Sequence, residues 1–381
     1  MLIIFVNKGS TSLIQVQLKL KLTHTQETMI QEWFPILTSI WNWAIKKIEL
    51  DAADHIYYNK FEFVNMLANH NKRLGIPSHT IQAILKDAHT TWQRCFKKLA
   101  RAPRLKGQRN RLTSVSFPDP IKKAHVNSTS IELPYLGKLK FHKQIIPSGN
   151  IKCARIVKRA SGFYLCLFVD AQSNRIAHKG CEAIGIQLSV DGRMALSNGD
   201  IIQREAQLQK HLNRLAQAQR GGNKKLVARL HERIANCRKD ANHKLSRKMV
   251  EQYDTIVVNK DDLKQRARNL GLLVADSANY QLRLMMCYKS ENNDRKYIEV
   301  ASNTSTAGAT ISTVTCSVCR SPSGPTSLTC LKVREWVCVS CGTLHDRDVN
   351  TAKNTLISGL GASHESAAKR VRNLLTNHYE L

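Results

Sequence analysis

Four cysteines near the end of the chain carry the most definite chemistry. Cys316 and Cys319 form one C-x2-C pair, and Cys338 with Cys341 forms a second after eighteen intervening residues. Each pair offers two thiolates from a tight turn, and two such turns supply the tetrahedral sulfur set that zinc prefers. With sulfur in all four positions there is no open place for water, so the metal would hold a fold and perform no hydrolysis. Cys330 lies between the pairs without a partner at ligand spacing and is read as a bystander.

A second chemistry is electrostatic. Between Asp87 and Asp119 no acidic residue occurs, yet Arg94, Lys97, Lys98, Arg101, Arg104, Lys106, Arg109 and Arg111 fall within eighteen residues. A charge run is usually a solvated face, but eight uncompensated cations repel one another unless a polyanion lies close, and phosphate contact is the functional reading. The whole chain repeats the bias: 58 Lys and Arg against 29 Asp and Glu give a formal charge of +29 over 381 residues. That excess exceeds what solubility requires and favours a nucleic-acid partner over a membrane, because the basic residues run the full length instead of flanking an apolar anchor.

The opening Met1-Leu2-Ile3-Ile4-Phe5-Val6 is too short an apolar run for a signal peptide or a span and reads as a strand. Eleven cysteines, an odd number, point to a reducing compartment and to metal ligation instead of disulfides, so a cytoplasmic location is expected.

The elements that must position these residues follow from periodicity. Residues 12–22 alternate as a half-buried strand. Thr25 with Glu27 and Thr28 reads as the start of a helix over 26–50, on which Ile30, Trp33, Phe34, Leu37, Ile40, Trp41, Ala44 and Ile45 recur at three and four. A second helix carries the stripe Ile81, Ile84, Leu85, Ala88, Trp92, Cys95, Phe96 and Leu99. Tryptophans on the stripes read as core, whereas Trp43, off its stripe, is the better candidate for stacking on a base. Residues 130–170 look like β structure that could close a small barrel with the N-terminal strands, leaving the helices as an insertion. After 180 the pattern becomes strand, hairpin, helices over 203–219 and 223–253, strand 255–259, helix 277–290 and strand 297–300, as in a mixed-sheet α/β domain.

The ordered set of Ile184-Gly185-Ile186-Gln187-Leu188-Ser189-Val190-Asp191-Gly192 with its hairpin, the Tyr253 to Asn259 strand, the paired cysteines and Asp346-Arg347-Asp348-Val349-Asn350 resembles TnpB, the transposon-encoded RNA-guided nuclease related to type V CRISPR effectors. Helix Ile81 to Leu99, Leu133-Pro134-Tyr135-Leu136-Gly137-Lys138 and Gly162-Phe163-Tyr164-Leu165 resemble its recognition and wedge parts. The resemblance implies a multidomain α+β chain: a wedge β-barrel from 1–25 and 105–178, a helical recognition domain over 26–104, a RuvC-like RNase H fold over 179–312 and 343–381, and an inserted zinc ribbon over 313–342.

In that family three carboxylates surround two divalent ions, and the matching positions here are Gln187, Asn259 and Asp348. Amides are weak magnesium ligands, so the resemblance narrows to the nuclease-dead TnpB-like repressors, the TldR proteins, with no catalytic magnesium pair and no enzyme activity expected. Rescue of the site by Asp261, about 7 Å past Asn259 at ~3.3 Å per residue, or by Asp191, about 13 Å past Gln187 in the hairpin turn, reads as insufficient. The implied partners are a guide RNA and duplex DNA bearing a short adjacent motif, with RNA polymerase as the competitor at promoters and the bacterial nucleoid as the setting. Trp41, Asn42, Trp43 and Gln82 become candidate motif readers, a solvated helix-face glutamine being the bland reading of Gln82. Lys97, Lys98, Arg101, Arg104, Lys106, Arg109 and Arg111 become phosphate contacts. The alternatives are an active endonuclease with displaced ligands and an RNA-binding transposon remnant.

Overall fold

A computed structural model of the chain describes residues 3–5, 12–68, 70–171, 176, 180, 182–260, 271, 276–301, 314–324 and 333–360. It divides into two compact units, 1–173 and 174–381. Among the described residues no helix is long and apolar enough to cross a membrane.

The first unit is built on a seven-stranded antiparallel sheet. Strand β1 (Ile3–Phe5) pairs with β2 (Ser12–Lys21), and the remaining path runs β3 (Ser114–Phe117), β6 (Asn150–Arg159), β7 (Gly162–Ala171), β2, β5 (Gly137–Phe141), β4 (Ser130–Leu133). Alternation on β2 buries Ile14, Val16, Leu18 and Leu20, which lie opposite the equally apolar β7 in the register Ile14↔Val169, Val16↔Leu167, Leu18↔Leu165. The expected barrel is an open ladder with β3 and β4 at its ends among the described residues.

Between β2 and β3 stand the helices α1 (His24–Ala53), α2 (Lys60–Asn65), α3 (Asn71–Leu74) and α4 (Ser78–Phe96). The first helix begins earlier than Thr25 and Glu27 suggest. Thr23 is its cap: the hydroxyl accepts the Gln26 N–H at 3.3 Å while Gln26 Oε1 accepts the Thr23 N–H at 3.1 Å. The two predicted stripes face each other, with Trp33, Phe34, Leu37 and Ile45 of α1 and Ile81, Leu85, Ala88 and Trp92 of α4 in one core. Trp92 donates its indole N–H to the Ile45 carbonyl at 3.1 Å, which satisfies the one polar atom of that buried ring.

The second unit holds a five-stranded mixed sheet in the order β10 (Ile201–Gln203), β9 (Arg193–Leu196), β8 (Glu182–Leu188), β11 (Tyr253–Lys260), β12 (Lys296–Ala301). The hairpin strands are antiparallel and β8, β11 and β12 are parallel. Helices α5 (Gln207–Arg220), α6 (Lys224–Gln252), α7 (Asn279–Asn292) and α8 (Arg347–Gly359) accompany it, and strands β13 (Glu335–Val337) and β14 (Leu344–Asp346) form a separate hairpin. The helix expected from 203 starts at Gln207 because Ile201–Gln203 pairs with the edge of β9.

Strand parity sorts the two faces of this sheet. Ile184, Ile186, Leu188, Ile256 and Val258 join Met249 of α6 and Leu282 and Met286 of α7 in one core. Val257 points the other way and packs with Leu356 and Ile357 of α8. Gly185 shares that second face, and a Cβ there would collide with the Ala352 carbonyl oxygen and Leu356 Cβ, so glycine is what lets α8 lie against β8. By the same parity Gln187 and Asn259 fall on the α8 face.

Candidate functional site

Two groups of residues share the α8 side of this unit. In the first, the Sγ atoms of Cys316, Cys319, Cys338 and Cys341 all lie within 4.8 Å of one another. A tetrahedral ion with Zn–S bonds of about 2.3 Å requires sulfur separations of about 3.8 Å, and the Cys316–Cys341 and Cys319–Cys338 separations of 3.7 and 3.5 Å fit that set.

The surroundings prepare the sulfurs for a cation. Backbone N–H groups of Val318 and Cys319 point at Cys316 Sγ at 3.4 and 3.5 Å, the Ser323 hydroxyl is 2.9 Å from Cys338 Sγ, and Thr343 Oγ1 is 3.2 Å from Cys341 Sγ. The Ser323 contact draws the Cys338 thiol down to about 6, whereas burial pushes Cys316 up to about 12. A bound cation would override the second effect, since the coordinated form is the thiolate. Two supports were not evident from spacing. His345 places Nε2 3.0 Å from Cys316 Sγ, and its ring packs on Trp336 at 4.7 Å. Asn350 and Asn354 of α8 both donate to the Thr315 carbonyl at 2.8 Å, and Asn350 Oδ1 accepts the Ser317 N–H, so the first cysteine turn is tied to the helix.

The second group comprises Gln187 and Asn259 on the α8 face of the sheet and Asp348 on α8 itself, all buried at 4–5 % exposure. The parallel ladder pairs Val258 with Ile186, which sets Asn259 beside Gln187, and Asn259 Nδ2 donates to Gln187 Oε1 at 3.1 Å. Asp348 sits in the first turn of α8, whose cap is Asp346, accepting the N–H groups of Asp348 and Val349 at 2.9 Å.

Three guanidinium groups surround that carboxylate. Arg334 Nη1 is 2.9 Å, Arg193 Nε 3.5 Å and Arg347 Nε 3.8 Å from Asp348. Arg193 also reaches Asp346 at 2.8 Å, and Arg334 reaches Asp191 at 2.6 Å. Asp191 is in the hairpin turn, as the strand count suggests, yet it is not remote. The fold brings it to the same guanidinium as Asp348, a closure that distance along an extended strand does not anticipate. Asp261 lies outside the described residues. Arg193 and Arg334 are therefore site residues that sequence reasoning missed. Arg193 had a signal in its place beside the Asp191-Gly192 turn, whereas Arg334 is 143 residues from Asp191 and only folding joins them.

In the first unit the candidate nucleic-acid residues fall into three groups. Lys97, Lys98, Arg101, Arg104, Arg109 and Arg111 are exposed, and Trp43, 38 % exposed, lies over Phe63 with 6.1 Å between ring centroids. Gln82 is half-buried on α4. Asn42 and Lys106 are committed to each other: the Asn42 amide donates to the Lys106 carbonyl and accepts the Lys106 N–H, both at 2.8 Å, and Lys106 Nζ lies 5.4 Å from the Trp41 ring centre. The Asn42 amide thus holds the chain after α4 in place.

Two family models match this chain between residues 171 and 355. Residues 171–269 match the family described as "Probable transposase" and residues 280–355 the family described as "Cas12f1-like, TNB domain". A protein of Streptomyces pristinaespiralis, named provisionally as an RNA-guided DNA endonuclease, is 33% identical over 195 residues, covering 48% of this chain and 46% of its own length. The InsQ protein of Escherichia coli (strain K12), with the same provisional name, is 25% identical over 244 residues, 56% of this chain and 60% of its own. Over these residues the chain is similar to proteins named as RNA-guided DNA endonucleases. The match spans about half the length of the curated relatives.

Fold likeness extends further. The Cas12f1 chain solved by electron cryo-microscopy with sgRNA and target DNA superposes with a TM-score of 0.55 at 10% identity, over 91% of this chain and 99% of that one. These findings overturn the expectation that the chain is not an enzyme. The proteins it matches are named as endonucleases and a transposase, which points to an enzyme family.

Proposed function

We propose that the chain binds a guide RNA and, through it, a complementary DNA target flanked by a short duplex motif, and that its occupancy silences transcription by obstructing RNA polymerase. The cysteine cluster holds one zinc ion in this reading, as a structural centre. The segment 94–111 carries the proposal: eight cations, no acidic residue from Asp87 to Asp119, and the side chains of Lys97, Lys98, Arg101, Arg104, Arg109 and Arg111 in solvent. A surface of that kind grips a backbone of phosphates irrespective of sequence, which leaves base pairing with the guide to choose the site. The helices within 26–104 are the recognition part, the strands of 1–25 and 105–178 the wedge, and Trp41, Asn42, Trp43 and Gln82 the motif-reading candidates. Support comes from the RNA-guided relatives and from the likeness to a fold seen around sgRNA and target DNA.

The endonuclease names of the relatives favour strand scission as a second outcome at the same target, and one experiment reads both. The protein is purified with its RNA, the RNA is sequenced, and the complex is offered matched and mismatched DNA with magnesium while a reporter follows the matched promoter. Tight binding of matched DNA alone, with a silenced reporter, supports the proposal. Cut matched DNA assigns the second outcome. RNA without a defined guide, or binding indifferent to the match, sinks the proposal.

A further inference from the structure

One guanidinium stands between two carboxylates. Arg334 places Nη1 2.9 Å from Asp348 and Nη2 2.6 Å from Asp191, so a single planar cation joins the first turn of α8 to the β8–β9 turn. We infer that Arg334 is a tethered counterion: a cation built into the chain that holds the Asp191–Asp348 pair and competes with divalent ions for it.

Both ends of the bridge are fixed. Arg334 directly precedes β13, its carbonyl accepts the Arg347 N–H at 2.7 Å, and four residues later the strand delivers Cys338 to the sulfur cluster. The guanidinium is thus held by the same hairpin that a zinc ion would stiffen. The turn bearing Asp191 is pinned by Arg204, which donates to the carbonyls of Gly192 and Ser189 at 3.3 and 3.4 Å, and by Asn279, which donates to Ser189 at 3.3 Å. Arg193 seconds the arrangement through Asp346 at 2.8 Å and Asp348 at 3.5 Å.

The chemistry of arginine suits the task. Its guanidinium stays charged at every pH the protein meets, and its fork satisfies two carboxylates that would otherwise repel each other. A divalent ion seeking Asp348 must displace it. With Arg334 gone, Asp191 loses the guanidinium it shares with Asp348, Asp348 keeps only the more distant Arg193 and Arg347, and an added divalent ion becomes the cheapest way to replace the lost charge. The inference goes beyond the nucleic-acid reading and holds whether target DNA is occupied or cut.

The test is manganese binding to the full, zinc-loaded chain, followed by the loss of the free-ion signal in electron paramagnetic resonance. Arg334→Gln is expected to bind Mn2+ at least about tenfold more tightly than the parent, as removal of a nearby competing charge requires. Adding Asp348→Asn to that variant should return the affinity to the parent value. Equal affinity of parent and Arg334→Gln, or a gain that survives Asp348→Asn, overturns the inference. If Arg334→Gln fails to retain zinc, Arg193→Gln leaves the cysteine-bearing strand untouched. It should show a smaller gain that Asp348→Asn removes, and the absence of any gain there overturns the inference as well.

Discussion

The cysteine cluster and the group of Gln187, Asn259 and Asp348 lie on one α8 framework, yet they answer burial in opposite ways. The first keeps four donors of one kind converging within 4.8 Å, with N–H and O–H groups around them that favour thiolate. Its members satisfy one another poorly without a cation. The second is satisfied from within: one amide donates to the other at 3.1 Å, and the remaining carboxylate is neutralised by arginines. The contrast teaches that a position's place in the fold and its chemistry vary separately. Register, helix packing and the Gly185 contact are those of a site, while the side chains decide whether an outside ion is needed.

Breaking the first cluster should have the largest effect. Cys316→Ser removes a buried sulfur from the set, and if the parent holds the proposed zinc ion, elemental analysis should show the variant without it. The environment of Trp336, packed on His345, should change with it, so its fluorescence should shift. Zinc retained in that variant would show that the four sulfurs do not act as one site.

A smaller effect is expected where the second cluster is opened. Gln187→Ala removes the Asn259–Gln187 hydrogen bond and truncates a buried side chain, at a cost of about 1 kcal/mol or more in a denaturant titration, with metal content the same as the parent's. A loss of zinc in this variant would mean that the two clusters are one cooperative unit, and the comparison between them would have to be redrawn.

The smallest effect concerns a cation that neither cluster uses. Lys289 is buried between α6 and α7, donating to the His243 carbonyl at 2.7 Å and the Ser246 hydroxyl at 2.6 Å, and burial lowers its ammonium to about 8 from an ordinary 10.5. Between those values the unfolded chain binds more protons than the folded one. Stability should therefore rise with pH across that window, and Lys289→Met should flatten the rise. A pH-independent denaturation midpoint in the parent over the same range would show that the lysine keeps its charge at no cost.

Much of the framework was legible in the chain itself. The apolar stripes of α1 and α4, the alternation of β2 and the two C-x2-C turns are local patterns, and local patterns survive translation into structure because they report which face must leave water. The cap of α1 was misplaced by two residues because Thr23 and Thr25 are chemically alike, and only backbone geometry distinguishes the threonine that reaches the Gln26 N–H. No local pattern signals that the segment after α4 returns to Asn42 and engages both sides of its amide.

By itself the sequence determined the charge of +29 and the four-sulfur set, since composition and spacing do not depend on how the chain folds. Tertiary structure decided what stands beside Asp348. Arg334 and Arg193 reach it from a cysteine-bearing strand and a hairpin far apart in the chain, and Asp191 shares the Arg334 guanidinium with it. Which charges meet is set by the packing of α8 on β8 and the closure of β13 on β14, and no local period encodes contacts of that range.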